Sequence, residues 1–276
     1  MSEEQIIRLR GISKSYVKNQ VLKSIDMTVN KGDIYGLIGR NGAGKTTLFK
    51  VILGLSHYQS GTMSLFGGSS EAENRANRRR IGFFVGANFF GYLSGRENLD
   101  YYRRVKGIQD KKEIDRVLGL VGLSAAQSKT PVSNYSLGMK QRLGIANAIL
   151  GSPELLIFDE PTNGLDPQGI HDIRTLIQSI NEKEGTTIIV SSHILRELEN
   201  TAHRFGIVHD GVIMREITRD EMNRQNKTVS IEVSDSSAER AKAVLEQNGI
   251  EICHIARKDS SLEEFYFGLV GGENNA

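Results

Sequence analysis

Gly39-Arg40-Asn41-Gly42-Ala43-Gly44-Lys45-Thr46 is the stretch from which the rest of this chain can be read. A short apolar run, Ile34–Ile38, precedes it and a helical pattern from Lys45 to Leu53 follows, so the spacing predicts a strand, a glycine-rich turn and a helix. Glycines let successive backbone N–H groups converge on an anion, and the helix start adds the positive end of its dipole. Lys45 brings a point charge to the β- and γ-phosphates of a nucleotide, and the Thr46 hydroxyl a ligand for Mg2+. The candidate nucleotide-binding residues are therefore Gly39, Arg40, Asn41, Gly42, Ala43, Gly44, Lys45, Thr46 and Thr47.

Downstream, Leu155-Leu156-Ile157-Phe158-Asp159-Glu160 is an apolar run that ends in two acids. Carboxylates at the C-terminal tip of a buried strand stand where α/β sheets bind ligands. Asp159 is expected to hold Mg2+ through its water shell and Glu160 to polarise an attacking water. A second β-branched run, Thr186–Val190, follows a helical pattern through Ile173, Leu176, Ile177 and Ile180. Strands alternating with helices in this way predict an α/β fold with a parallel-sheet core. Two-residue alternation in Ile6–Arg10 and Ser24–Asn30 predicts N-terminal strands, and Glu97–Val121 reads as helical, part of a helical subdomain inserted over about 88–150. Asp210-Gly211 between Phe205–His209 and Val212–Glu216 predicts a tight hairpin. The polar stretch Arg219–Asn226 is the expected boundary. Beyond it a small α+β appendage is expected over 227–276: a strand with Val229, Ile231 and Val233, a helix Ala238–Gln247, a strand Ile250–Ile255 and a helix Ser261–Leu269.

Composition narrows the function. The chain has 276 residues, 25% charged and 38% hydrophobic, which suits one large domain with a small addition. A net charge of +2 is too balanced for a nucleic-acid binder, so no nucleic-acid partner is expected. Arg75, Arg78, Arg79 and Arg80 form the one basic cluster, read as a solvated turn rather than an anion contact. Cys253 stands alone, which excludes an internal disulfide and is expected of a small core residue. The acidic N-terminus lacks the layout of a secretory signal, and no run reaches the ~18 apolar residues of a membrane span.

Further motifs carry a family resemblance. Asn134-Tyr135-Ser136-Leu137-Gly138-Met139-Lys140-Gln141-Arg142, placed shortly before the acidic strand, resembles the signature segment of the ABC ATPases, with Leu137 where a glycine is common. Asn163-Gly164-Leu165-Asp166 resembles the loop that follows the acidic pair in that family, and His193 its switch histidine. Tyr16 matches the aromatic that stacks on adenine. The resemblance implies a P-loop NTPase core within an ATP-binding domain spanning 1–220, with an N-terminal antiparallel β subdomain. It implies ATP and Mg2+ as cofactors, Glu160 and His193 as catalytic residues, and Thr46 and Asp159 as metal ligands. It also implies a homodimer in which Ser136, Leu137, Gly138, Met139 and Lys140 of one chain face the phosphate loop of the other, with Asp166 at the dimer interface. A separately encoded membrane permease would be the second partner and would hold the chain at the cytoplasmic face of the cell membrane. Within the family, Ile81–Asn88 and the following Phe89–Leu99 are most similar to the bacitracin- and lantibiotic-resistance exporters, but Gly86 stands where they carry a glutamate and other members a glutamine. That departure bears on hydrolysis and coupling. The alternatives are an ABC ATPase acting on nucleic acid or ribosomes, and a weakly hydrolysing binding module.

Overall fold

Alternating apolar residues near the N-terminus build a three-stranded antiparallel sheet in the computed structural model, which describes residues 4–86, 89–225, 231 and 233–252. Strands β1 (Gln5–Tyr16) and β2 (Asn19–Asn30) pair antiparallel. The chain then leaves through β3 (Ile34–Ile38), runs through helix α1 (Lys45–Ile52), and returns as β4 (Ser60–Leu65) to the free side of β1. The buried face of this sheet, with Ile7, Leu9, Ile25, Met27, Met63 and Leu65, packs in one core with Leu48, Phe49 and Ile52 of α1.

The remainder of the first unit alternates helix and strand. It comprises α2 (Glu71–Asn77), β5 (Ile81–Phe84), α3 (Gly95–Val105), α4 (Lys112–Leu120), α5 (Ala125–Ser128) and α6 (Leu137–Ile149). There follow β6 (Leu155–Asp159), α7 (Pro167–Glu184), β7 (Thr187–Ser192), α8 (Leu195–Glu199), β8 (Arg204–His209) and β9 (Val212–Thr218). The second sheet has the order β5-β6-β7-β3-β8-β9, parallel throughout except for the antiparallel edge strand β9. This is the α/β fold with a parallel core and an antiparallel N-terminal sheet. Every residue of β7 is buried, as the continuous β-branched run requires.

The helical stretch around Glu97–Val121 resolves into α3 and α4, separated at Gly107, whose φ of 74° a β-carbon would disfavour. A capping box starts α3: Ser94 Oγ accepts from the Glu97 N–H at 3.2 Å and Glu97 Oε2 accepts from the Ser94 N–H at 2.8 Å. In the β8–β9 hairpin both turn residues, Asp210 and Gly211, have positive φ, 45° and 79°, which matches the tight turn expected of that pair. Two of the clustered arginines are structural ties. Arg78 pairs with Glu71 at 2.7 Å and donates to the Ile52 carbonyl, and Arg80 forms a bidentate pair with Glu154 at 2.6 and 2.7 Å over the Phe66 ring.

The chain divides at Arg219 into two compact units, Met1–Arg219 and Asp220–Ala276. Helix α9 (Arg219–Gln225) spans the division, and α10 (Ala238–Gln247) is the helix expected in the appendage. Ile231 and Val233 belong to no strand. Val229, Cys253, the end of the expected strand Ile250–Ile255 and the expected helix Ser261–Leu269 lie outside the described residues.

One close approach fixes how α6 lies on the sheet. A β-carbon at Gly82 of β5 would stand 2.1 Å from the Ala148 carbonyl oxygen, and one at Gly144 of α6 would stand 2.3 Å from the Phe84 ring. Gly82→Ala should therefore lower the unfolding free energy by about 3 kcal/mol, as overpacking against backbone does. Gly119→Ala, on α4 with nothing within 4 Å of the added carbon, should instead raise it by roughly 0.5–1 kcal/mol through helix propensity. Urea unfolding of the two variants checks both signs. Equal stability would mean that α6 does not approach β5 in this way.

Candidate nucleotide site

The strand ends set the site. β7 lies between β3 and β6, and the parallel register puts Ile38 beside Ser192 and Asp159 beside Ser191. The loop after β3, the acids ending β6 and the histidine after β7 thus emerge along one edge. Gly39–Gly44 turns there with Gly42 and Gly44 at φ 82° and 107°. A β-carbon at Gly39 would meet the Val208 carbonyl at 2.6 Å, so only glycine lets the loop lie this close to β8.

Lys45, at the first turn of α1, is only 5% exposed. Its Nζ donates to the Gly39 and Arg40 carbonyls at 2.5 and 3.2 Å and pairs with Glu160 Oε1 at 3.1 Å. The other Glu160 oxygen, Oε2, lies 2.8 Å from His193 Nδ1. Glu160 sits at φ 49°, a left-handed backbone uncommon for a side-chain-bearing residue and characteristic of functional turns. Beside it, Thr46 Oγ1 donates to Asp159 Oδ2 at 2.6 Å, and Ser191 Oγ donates to Asp159 Oδ1 at 2.7 Å while accepting from the Glu160 N–H at 2.9 Å. A hydroxyl and a carboxylate oxygen meeting at one point suit Mg2+, which takes hard oxygen ligands and is ordinarily held by one or two carboxylates together with substrate phosphates.

The remaining predicted residues fall in three places. Tyr16 ends β1, opposite Asn19; it is 43% exposed, and Lys14 Nζ lies over its ring at 4.9 Å. In the same hairpin Lys14 pairs with Leu22, whose side chain would touch a β-carbon on Gly44 at 3.0 Å. Ser136 caps α6, its Oγ accepting from the Met139 N–H at 3.2 Å, so Leu137, Gly138, Met139 and Lys140 form the first turn of that helix. Asp166 caps α7 by accepting from the Gly169 N–H at 3.0 Å, with Pro167 in the helix's first turn. The structure brings Lys45, Thr46, Asp159, Glu160 and His193 together.

Residues 22–163 match the family model described as ABC transporter. The chain belongs to this family. It is similar to the bacitracin transport ATP-binding protein BcrA of Bacillus licheniformis, 38% identical over 97% of this chain and 98% of that protein. The lantibiotic transport ATP-binding protein SrtF of Streptococcus pyogenes is 41% identical over 76% of this chain and 90% of its own length. A solved structure titled as the ATP binding subunit of an ABC transporter superposes with a TM-score of 0.69 at 30% identity, covering 80% of this chain and 92% of that one. The chain is accordingly an ABC transporter ATP-binding subunit, an ATPase that uses ATP and Mg2+. ABC ATPase domains dimerise and work with membrane components. No helix among the described residues of this subunit is long and apolar enough to cross a membrane.

Two residues beside this cluster escaped the sequence reading. Ser191 joins Asp159 to the Glu160 backbone, and Glu197, on α8, accepts hydroxyls from Thr162 and Ser192. Neither belongs to the motifs read along the chain, and each is recognisable only through contacts with distant segments. Gly86 stands at φ 74° with nothing within 4 Å of an added β-carbon. After it, Phe90, Tyr92 and Tyr101 form an exposed aromatic group, 36%, 78% and 46% accessible, with Phe90 ring centroids 6.0 Å from Tyr92 and 5.1 Å from Tyr101. The fully buried Asn98 fixes this loop, accepting from the Phe90 N–H at 2.9 Å and donating to the Phe90 carbonyl at 3.0 Å.

Proposed function

We propose that ATP is hydrolysed at the edge formed by Gly39–Thr47, Asp159, Glu160 and His193, that the site is completed by Ser136 of a second copy, and that turnover drives a separately encoded permease. The observation that carries this reading is the position of Glu160, with one carboxylate oxygen at Lys45 and the other at His193. Backbone N–H groups of Gly39–Thr47 and the Lys45 ammonium would bind the phosphates. Thr46 and Asp159 would hold Mg2+, which when bound neutralises phosphate charge. Glu160 would accept a proton from the attacking water, and His193 would orient Glu160 and reach the γ-phosphate. Tyr16 offers a ring face to adenine.

Ser136 at the start of α6 supports an anion site of its own, because its Oγ accepts from Met139 and leaves the hydroxyl proton to be donated. In a two-fold dimer that site would face the partner's phosphate loop, with Asp166 near the interface. The exposed Phe90, Tyr92 and Tyr101 suit a permease segment, since aromatic anchors are favoured in interfaces, and such a partner would keep the subunit at the cytoplasmic face of the membrane. At Gly86 water would complete the Mg2+ shell. Likeness to proteins named for bacitracin and lantibiotic transport supports a peptide antimicrobial as cargo.

Glu160→Gln should keep ATP affinity within a few-fold and lower turnover by at least ~100-fold, in line with the loss of a positioned general base. Lys45→Ala should instead weaken ATP binding itself. Equilibrium nucleotide binding and steady-state phosphate release separate the two, and near-normal turnover by Glu160→Gln would remove it from the mechanism.

Mixing Ser136→Arg chains with Lys45→Ala chains yields hybrid dimers with one doubly damaged site and one intact site. Activity above that of either parent is expected. Hybrid dimers that form and remain inactive would rule out a composite site.

Phe90→Ala and Tyr92→Ala should leave the melting temperature of the isolated subunit nearly unchanged and reduce co-purification with the permease. Destabilisation with normal assembly would move the docking surface elsewhere.

A further inference from the structure

Glu197 is 7% exposed, and one of its oxygens, Oε2, accepts two hydroxyls, Thr162 Oγ1 and Ser192 Oγ, both at 2.7 Å. The donors are themselves 6% and 3% exposed. A buried carboxylate is costly unless hydrogen-bonded, so this arrangement fixes three segments at once. Thr162 lies two residues after Glu160 and leads into Asn163–Asp166; Ser192 immediately precedes His193 and also accepts from the Ile194 N–H at 3.0 Å. A small cavity lined by Glu160, Thr162, Asn163, Ser192, His193 and Glu197 lies between the two loops.

We propose that Glu197 is a positioning residue: its single carboxylate oxygen ties the loop that carries Glu160 to the loop that carries His193, so that the two move together and His193 stays within reach of Glu160. The inference rests on the assignment of Glu160 and His193 made above. It adds that displacement of Asn163–Asp166 is felt at His193 through Thr162, Glu197 and Ser192 within one chain. Only an acceptor that can take two O–H donors at one atom preserves the tie. A glutamine amide oxygen can do so and a leucine cannot.

The test uses the full-length subunit and compares Glu197→Leu, Glu197→Gln and the double variant Thr162→Val/Ser192→Ala. For Glu197→Leu we expect kcat for ATP to fall about tenfold with KM changed less than twofold, and faster amide hydrogen exchange in both 160–165 and 192–195. Glu197→Gln should restore both readings to near the parent, and the double variant, which removes the donors and keeps the carboxylate, should itself show the lower kcat and the faster exchange in both loops, so that it carries the test if Glu197→Leu fails to fold. Adding Thr162→Val to Glu197→Leu should have no further effect, as expected when two residues act through one interaction. Faster exchange in one loop alone, unchanged kcat in Glu197→Leu, or equal failure of Leu and Gln variants with a raised KM and lower melting temperature would each overturn the proposal. His193→Ala measured alongside separates the two levels: retained turnover in that variant refutes the assignment of His193, whereas the exchange pattern still decides the tie.

Discussion

The placement of β7 between β3 and β6 is the constraint on which the site depends. Parallel strands in register end together, so three loops far apart in sequence leave the sheet side by side at Ile38, Asp159 and Ser192. The pairing is secure because β7 is buried along its whole length and both neighbours are nearly so. A parallel ladder needs crossover connections, and α7 is the crossover from β6 to β7, while α1 leaves the same edge after β3 and leads to β4 of the other sheet. The Ser191 hydroxyl then joins the strand ends, donating to Asp159 and accepting from the Glu160 N–H. Fold and chemistry are thus fixed by one geometric relation, and a shift of one residue in the β6–β7 register would turn Ser191 away from Asp159.

The helix that carries Ser136 is anchored at both ends. Its start is capped by Ser136, and its C-terminal carbonyls are taken by Lys106, which donates to Asn147 and Leu150 at 2.7 and 3.3 Å, and by Arg116, which donates to Ile149 at 3.1 Å. Placing positive charge at a helix C-terminus favours both the helix dipole and the unpaired carbonyls. Burial of the Lys106 ammonium lowers its pKa to about 8 despite the opposing pull of Glu113, so this cap weakens as pH rises through that value. Glu113 also accepts from the Gly151 N–H at 2.7 Å. With Gly82 and Gly144 bringing α6 against β5, Ser136 and the acids of β6 belong to one packed body.

Local chemistry was legible in the sequence, and long-range chemistry was not. The turn at Gly39–Thr46 declares itself because glycine spacing, a flanking apolar run and a helical pattern coincide within twenty residues. The strand Leu155–Asp159 and the Asp210-Gly211 hairpin are equally local. By contrast β4 is half polar and begins Ser60-Gly61, so only Met63 and Leu65 betray its buried face. β5 is four residues long and contains Gly82, whose reason is the Ala148 carbonyl some sixty residues away. His193 could be located by its place after a strand, but its 2.8 Å contact with Glu160 could not. Ser191 and Glu197 act only through partners brought near by folding, and a serine or glutamate in isolation carries no such signal.

Leu137 shows how a departure from the commoner family pattern is absorbed. The side chain is 46% exposed, yet its Cδ2 would lie 3.1 Å from a β-carbon built on Gly164, in the loop between Glu160 and Asp166. Gly164 has φ 78°, where glycine is already favoured, so the turn and the leucine make the same demand on that position. A larger residue at 137 is therefore tolerated because 164 has no side chain, and the first turn of α6 rests directly on the loop leading to Asp166. Packing alone thus joins the first turn of α6, which Ser136 caps, to the Asn163–Asp166 loop of the same chain.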